Sequence, residues 1–424
     1  MKVTQGHFAI LLLLVSVSVA TKAQDIFGLP VDTTTIQMKS QYQMKPNTNE
    51  IEANFLSSYY QQDGNNSPVT GGIGTEALHD FANVFIVNVP IDSVNSISLF
   101  AGVDAYTSAS SDNIDSNVSS ASMSDTRTYG TLSYNRKNLK RSETYGIRAG
   151  FSKEFDYSSF STGLSMTKEW NEGNTELNFT GQVFLDKWLG KGKGLIYPEL
   201  WLGDALGYST LSTPNRNSYN AQLFLSQVIN TRLQIGLSAE VIYMSGLLST
   251  PFHSVYFADK PDYAIDIERL PASRLKIPFG FRLNYFPLDF LVVRTNYRYY
   301  SDDFGITANT FDIETPIKLS SSITFSPFYR YHVQTAAKYF APKYEHLSTE
   351  LYYTSDFDLS ALNAHKYGAG IKYYPTYGLL RSKPLFNNYG VFMFKYIELR
   401  AAYYKRSTDF SAFNVSVNLG FGFK

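Results

Sequence analysis

Charged residues in this chain recur at alternate positions of several extended-looking segments. Lys276 and Arg282 do so in 274–285, Arg294 and Arg298 in 291–300, and Glu240 in 232–243; Arg148 and Arg330 hold the same kind of position in their own segments. A two-residue period places such side chains on one face of a strand. Glu240, Arg282 and the Arg294/Arg298 pair fall on three successive segments, so together they form a wall of mixed, mainly basic charge. Asp104, Glu176 and Asp186 carry acids to the same side. If the wall meets water in a channel, it concentrates anions and filters passing solutes. If the arginines pair with acids across strands, it only keeps an interior satisfied. Both readings are open on the sequence.

Other residue types support less chemistry. Asp104, Asp112, Asn113, Asp115, Asn117 and Asp125 make an oxygen-rich cluster of the kind a hard cation takes, with Asp112 and Asp115 at its centre. The spacing is not that of an EF-hand loop, and loops are ordinarily rich in these residues, so no metal is assigned. Gly71-Gly72-Ile73-Gly74 lacks the lysine and the following helix of a phosphate loop and reads as a flexible turn. Of the histidines after residue 23, His79, His253, His332, His346 and His365, only His332 sits well inside an expected strand, on the same side as Arg330. No serine pattern accompanies it, so no enzyme is expected. Trp170, Trp188 and Trp201 fall at strand ends or in a loop, as interface anchors do. The absence of cysteine excludes disulfides, thiolate metal sites and a lipidated N-terminus. Zero net charge excludes a broad nucleic-acid surface. No cofactor is expected.

What positions these residues is strict alternation. In 274–285 Leu275, Ile277, Phe279, Phe281, Leu283 and Tyr285 oppose the charged face. The last strand repeats this with Phe413, Val415, Val417, Leu419, Phe421 and Phe423 against Asn414, Ser416, Asn418, Gly420 and Gly422. The 32 Tyr and 31 Phe are more than a soluble domain uses, and a lipid-facing barrel needs them for its outer wall and interface girdles. After residue 23 no apolar run reaches the ~20 residues of a membrane helix. A membrane chain without such helices must be a closed sheet, because lipid offers an open edge no hydrogen-bond partner.

The pattern therefore predicts an all-β fold: a transmembrane antiparallel β-barrel over 50–424 with long extracellular loops. Strands are expected at 51–61, 79–92, 95–107, 126–134, 143–153, 157–169, 174–186, 217–228, 232–244, 274–285, 289–301, 305–316, 319–333, 365–375, 392–404 and 411–424, about sixteen in all and even in number. Connections 62–78, 108–125, 187–216, 245–273 and 334–364 are long and odd-numbered, which puts them outside the cell. The even ones are mostly short, and 376–391 breaks the pattern. Residues 1–23 read as a signal peptide, with Lys2 ahead of the apolar run 8–20 and cleavage between Ala23 and Gln24. Residues 24–49 read as a periplasmic lead-in. The expected location is the outer membrane, with its lipid and the barrel-assembly machinery as partners. Phe421 and Phe423 carry the assembly signal.

Five strings add a resemblance: Tyr59–Leu78 (YYQQDGNNSPVTGGIGTEAL), Val103–Asn117 (VDAYTSASSDNIDSN), Asp125–Arg127 (DTR), Ser152–Ser159 (SKEFDYSS) and Tyr403–Ser407 (YYKRS). They resemble DUF3570, a family of uncharacterised outer-membrane proteins common in the Bacteroidetes. The resemblance implies a barrel and a place, and attaches no chemistry to any residue. Three functions follow in order: a pore or channel-like protein for small solutes, a non-transporting structural or docking barrel, and an envelope enzyme.

Overall fold

A computed structural model describes residues 50–107, 124–154, 157–188, 215–250, 253–262, 264–382 and 391–424. The expected signal peptide, the lead-in, Asp112, Asp115 and Trp201 lie outside the described residues. So does most of connection 187–216.

Sixteen strands form one closed antiparallel sheet. They are β1 Ile51–Gly64, β2 Leu78–Pro90, β3 Asn95–Thr107, β4 Ser124–Asn138, β5 Glu143–Lys153, β6 Tyr157–Trp170, β7 Thr175–Trp188 and β8 Asn215–Asn230. The wall continues with β9 Leu233–Gly246, β10 Ser273–Leu288, β11 Leu291–Asp302, β12 Thr307–Glu314, β13 Ile323–Gln334, β14 Leu362–Tyr373, β15 Phe392–Arg406 and β16 Phe410–Phe423. Each strand pairs with its sequence neighbours, and β1 closes on β16 from Ile51↔Phe423 to Gly64↔Phe410. Closure removes every edge, which is the condition for a sheet to sit in lipid.

The expected strands correspond to these one for one. One interruption has a local cause. Pro316 has no N–H to give the ladder, so β12 stops at Glu314 and pairing resumes at Ile317–Lys318 against Leu291 and Phe325. Short connections occupy the end where the first strand begins. At that end the long exception, 374–391, adds a small strand, Leu380–Ser382, beside the start of β15.

The two faces differ in kind. On the outer face Leu132 is 56%, Ile147 57% and Leu164 63% exposed. Leaving such a side chain in water forgoes about 1.5–3 kcal/mol, so a whole belt of them requires lipid. Aromatics collect at both rims of the belt: Tyr219 with Tyr243 near the long loops, Phe392 with Phe423 near the short turns.

On the inner face, glycines give room to aromatics from the next strand. The Tyr129 ring occupies the place of a Gly102 side chain, Phe224 that of Gly236, Phe328 that of Gly368 and Tyr396 that of Gly420. Laid flat, these rings cover the wall of a tube too wide for side chains to fill.

Candidate functional site

Register places Arg148, Glu240, Lys276, Arg282, Arg294, Arg298 and Arg330 all on the inner face. Most of the arginines meet acids there. Arg298 lies 3.4 Å from Glu240, two strands away across β10. Arg330 pairs with Asp312 on the adjacent strand. Arg294 is 3.5 Å from Glu314, whose other oxygen accepts from Arg400 at 2.9 Å. Arg400 reaches that acid from β15 by lying along the wall, over the Phe328 ring and beside Gly370. Arg282 stacks over Phe224, and Arg148 lies against Gly163. Tyr300 and Arg274 both bond Asp302, which is the ladder partner of Lys276.

Pairing evens the charge locally but not round the circumference. Arg282, Arg298, Arg330, Lys366, Lys372 and Arg400 all lie between β10 and β15. Glu52, Asp80, Asp104, Glu176 and Asp186 lie between β1 and β7. β2–β3 and β10–β11 are eight strands apart in a sixteen-strand ring, so an arc richer in bases faces an arc richer in acids across the lumen.

Three of the long connections at the outer end, those among the described residues, do not hang free. Loop 1 (65–77), loop 9 (247–272) and loop 13 (335–361) pack into one cap. Val255, Phe257 and Tyr353 form one buried cluster, and Phe304, Ile306 and Ala337 a second, with Leu248, Leu270, Tyr339, Phe340 and Leu359 against it. Gly71 and Gly72 take left-handed conformations at φ 78° and 85°. A side chain at Gly71 would meet the Tyr256 ring, and one at Gly72 the Ser355 carbonyl. The glycine run read as a flexible turn is therefore a packed contact, because only glycine has both that backbone freedom and that lack of bulk. Loop 1 springs from β1–β2 and loop 9 from β9–β10, on opposite sides of the ring, so their contact spans the mouth. Arg406 of β15 anchors the cap through Asp358.

Ionisable groups in the cap respond to this packing. Burial pushes the Glu76 carboxyl up to about 7, despite a hydrogen bond from the Asn66 N–H. Burial lowers the Lys343 ammonium. Glu350 is lowered: burial, the largest single influence, works against this, but the hydrogen bond with His346 at 2.6 Å, the one from the Leu347 N–H and the electrostatic pull of His346 together outweigh it.

The remaining candidates separate. His332 bonds Thr310 and Gln334 on the inner face. His79 and His365 also lie within strands, at the outer ends of β2 and β14, where they face outward beside Tyr59 and Tyr329. Asp104 accepts from Tyr129 at 3.0 Å, so it is part of the inner wall. Trp188 packs edge-on to Tyr157, and Trp170 is exposed at the short-turn rim near Lys168. Phe421 stacks on Phe394, and Phe423 contacts Phe392, both on the outer face. Sequence reasoning missed Arg400, Glu314 and Asp312, although their alternation was visible. It also missed the grouping of His253, Glu268 and Asp356 within the cap, for which no spacing rule exists.

No curated protein matches the chain. Among solved structures it is similar to the siderophore receptor PirA from Acinetobacter baumannii (TM-score 0.42, 11% identity, 83% of this chain and 53% of that one). It is also similar to a bacterial polysaccharide outer membrane secretin (0.42, 12%, 89% and 99%). A third is OccK2 from Pseudomonas aeruginosa, solved in complex with glucuronate (0.40, 8%, 87% and 97%). The chain spans about half the length of the siderophore and ferric enterobactin receptors it matches. The model of a family described as protein of unknown function (DUF3570) matches residues 104–407, from β3 to the turn after β15. With that much of the sheet matched, this sixteen-strand β-barrel belongs to the DUF3570 family.

Proposed function

We propose that the protein is an outer-membrane pore for small solutes, narrowed at its outer mouth by the cap of loops 1, 9 and 13. The observation that carries this reading is the inner wall. It is polar and charged round the circumference of a ring too wide for side chains to fill, so water must solvate it. Arg148, Glu240, Lys276, Arg282, Arg294, Arg298 and Arg330 would line the path. The facing base-rich and acid-rich arcs would orient a charged solute as it passes. Export would follow cleavage between Ala23 and Gln24, with 24–49 left in the periplasm. The assembly machinery would read the strand end at Phe421 and Phe423.

A second reading, a docking barrel that carries nothing, is favoured by the cap itself, since it crosses the mouth. Conductance of the refolded protein in a planar bilayer separates the two. The pore predicts discrete steps that grow when 337–359 is replaced by a short Gly/Ser linker. Silence in both proteins, each folded, leaves the docking barrel.

A further inference from the structure

Loops 9 and 13 bring an imidazole and two carboxylates to one point. Within loop 9, Ser254–Val255 pairs with Asp266–Ile267, and the Glu268 N–H donates to the His253 carbonyl at 2.9 Å. Those bonds set His253 beside Glu268. Loop 13 joins them through reciprocal backbone bonds between Arg269 and Tyr353, at 3.0 and 2.8 Å. Thr354 then donates to Glu268 Oε1 at 2.7 Å and accepts from the Asp356 N–H at 3.0 Å, which turns Asp356 toward the pair.

The resulting donor set is His253 Nδ1, Glu268 Oε1 and Asp356 Oδ2. Their ligand atoms all lie within 4.8 Å of one another. His253 Nδ1 is buried and has no hydrogen-bond partner among the described residues. It stands 3.6 Å from Glu268 and 3.7 Å from Asp356. Those separations exceed a hydrogen bond. They are close to the ~3.4 Å between ligand atoms that sit about 2.1 Å from a tetrahedral ion. The carboxylates are already held from behind. Glu268 Oε2 accepts from the Thr250 N–H at 2.6 Å, and Asp356 Oδ1 from the Asp358 N–H at 2.9 Å. Metal ligands characteristically have such outer bonds, which fix their orientation. Glu268 is buried and Asp356 half-buried, and one divalent cation between these carboxylates and a neutral imidazole supplies the compensating positive charge.

We propose that His253, Glu268 and Asp356 bind one divalent transition-metal ion, and that this ion fastens loop 9 to loop 13 within the cap. One imidazole with two carboxylates suits zinc, which tolerates mixed nitrogen and oxygen ligands in a tetrahedron and leaves the fourth position to water. The assignment goes beyond the pore reading and does not depend on conduction, because it is read by binding.

The test is zinc titration of metal-free, refolded full-length protein by calorimetry, beside His253→Ala and Asp356→Asn. One zinc per chain is expected in the wild type, bound at least 100-fold more weakly in either variant. Zinc should also slow tryptic cleavage within 247–272 and 335–361 in the wild type alone. The ligands are in loops, so both variants should keep the heat-dependent gel mobility of a closed barrel, which separates loss of the site from loss of the fold. No zinc uptake by folded wild type, or equal uptake by the variants, overturns the proposal.

Discussion

Lys343 holds its ammonium 3.8 Å from the centroid of the Tyr256 ring while donating to the Thr70 carbonyl at 3.2 Å. One side chain thus joins loops 13, 9 and 1. A cation over an aromatic face plus a charged hydrogen bond is worth about 1–3 kcal/mol in all. Lys343→Met keeps the stem and removes both contacts. It should leave barrel stability unchanged, speed proteolysis of loop 1 and raise conductance or its noise. Unchanged proteolysis would mean that the apolar clusters hold the cap unaided.

Arg294 and Arg298 alternate with outward Val293, Thr295 and Tyr297, so their reversal leaves the lipid face untouched. Their ion pairs with Glu314 and Glu240 are partly exposed, and such pairs contribute about 0–1 kcal/mol each. Arg294→Glu with Arg298→Glu should therefore fold. Reversal potentials in a salt gradient should move several-fold toward cations. A conducting variant with unchanged preference places these residues off the ion path.

Glu76 gives the cap a pH dependence with a definite sign. Its carboxyl is raised to about 7 in the folded loop from about 4.5 in the free chain. The packed state thus favours the protonated form. The associated stability is complete below pH 4.5 and is lost as pH rises through 7. Loop 1 should be cut faster at pH 8 than at pH 6, after correction for protease activity. Glu76→Gln, permanently neutral, should show no such difference.

A methyl group at Gly420 would overlap the Tyr396 ring, and swinging the ring clear would give up the hydrogen bond its hydroxyl donates to Asn54 Oδ1. Gly420→Ala should cost about 1–3 kcal/mol by overpacking. The readout is a lower temperature at which the barrel loses its fast gel mobility. Combined with Tyr396→Ala the two losses should be less than additive, since the clash is shared.

Lys260 is exposed, whereas Val255 is fully buried in the cap. An epitope inserted after Lys260 should be stained on intact cells, and one after Asn230, in a short turn, should not. An insertion after Val255 should disrupt the cap. Tolerance to insertion therefore differs from position to position within one loop, according to whether the residue packs in the cap.

The strands were legible because alternation is local. Leu275 to Tyr285 declares its two faces without reference to any other segment, and the lengths of the connections order the ends. Pairing across the lumen was not legible. Whether Arg298 meets Glu240, or Arg400 meets Glu314 two strands beyond its neighbour, depends on stagger that no single strand encodes. The cap was least legible. His253, Glu268 and Asp356 stand on irregular backbone, and only contacts between loops bring them together. The glycines at 71 and 72 looked like freedom, yet they mark close approach, since a turn and a packed contact ask for the same residue.

The contact between Gly71 and Tyr256 joins points rooted eight strands apart. A wall one sheet thick behaves as a hoop, stiff in circumference and soft toward ovalisation. A strut across one diameter resists flattening along that line and leaves the perpendicular diameter compliant. Lateral pressure in the bilayer would then deform this barrel anisotropically, and the deformation would bear first on the joints of the strut, where Tyr256, Lys343 and Thr70 meet.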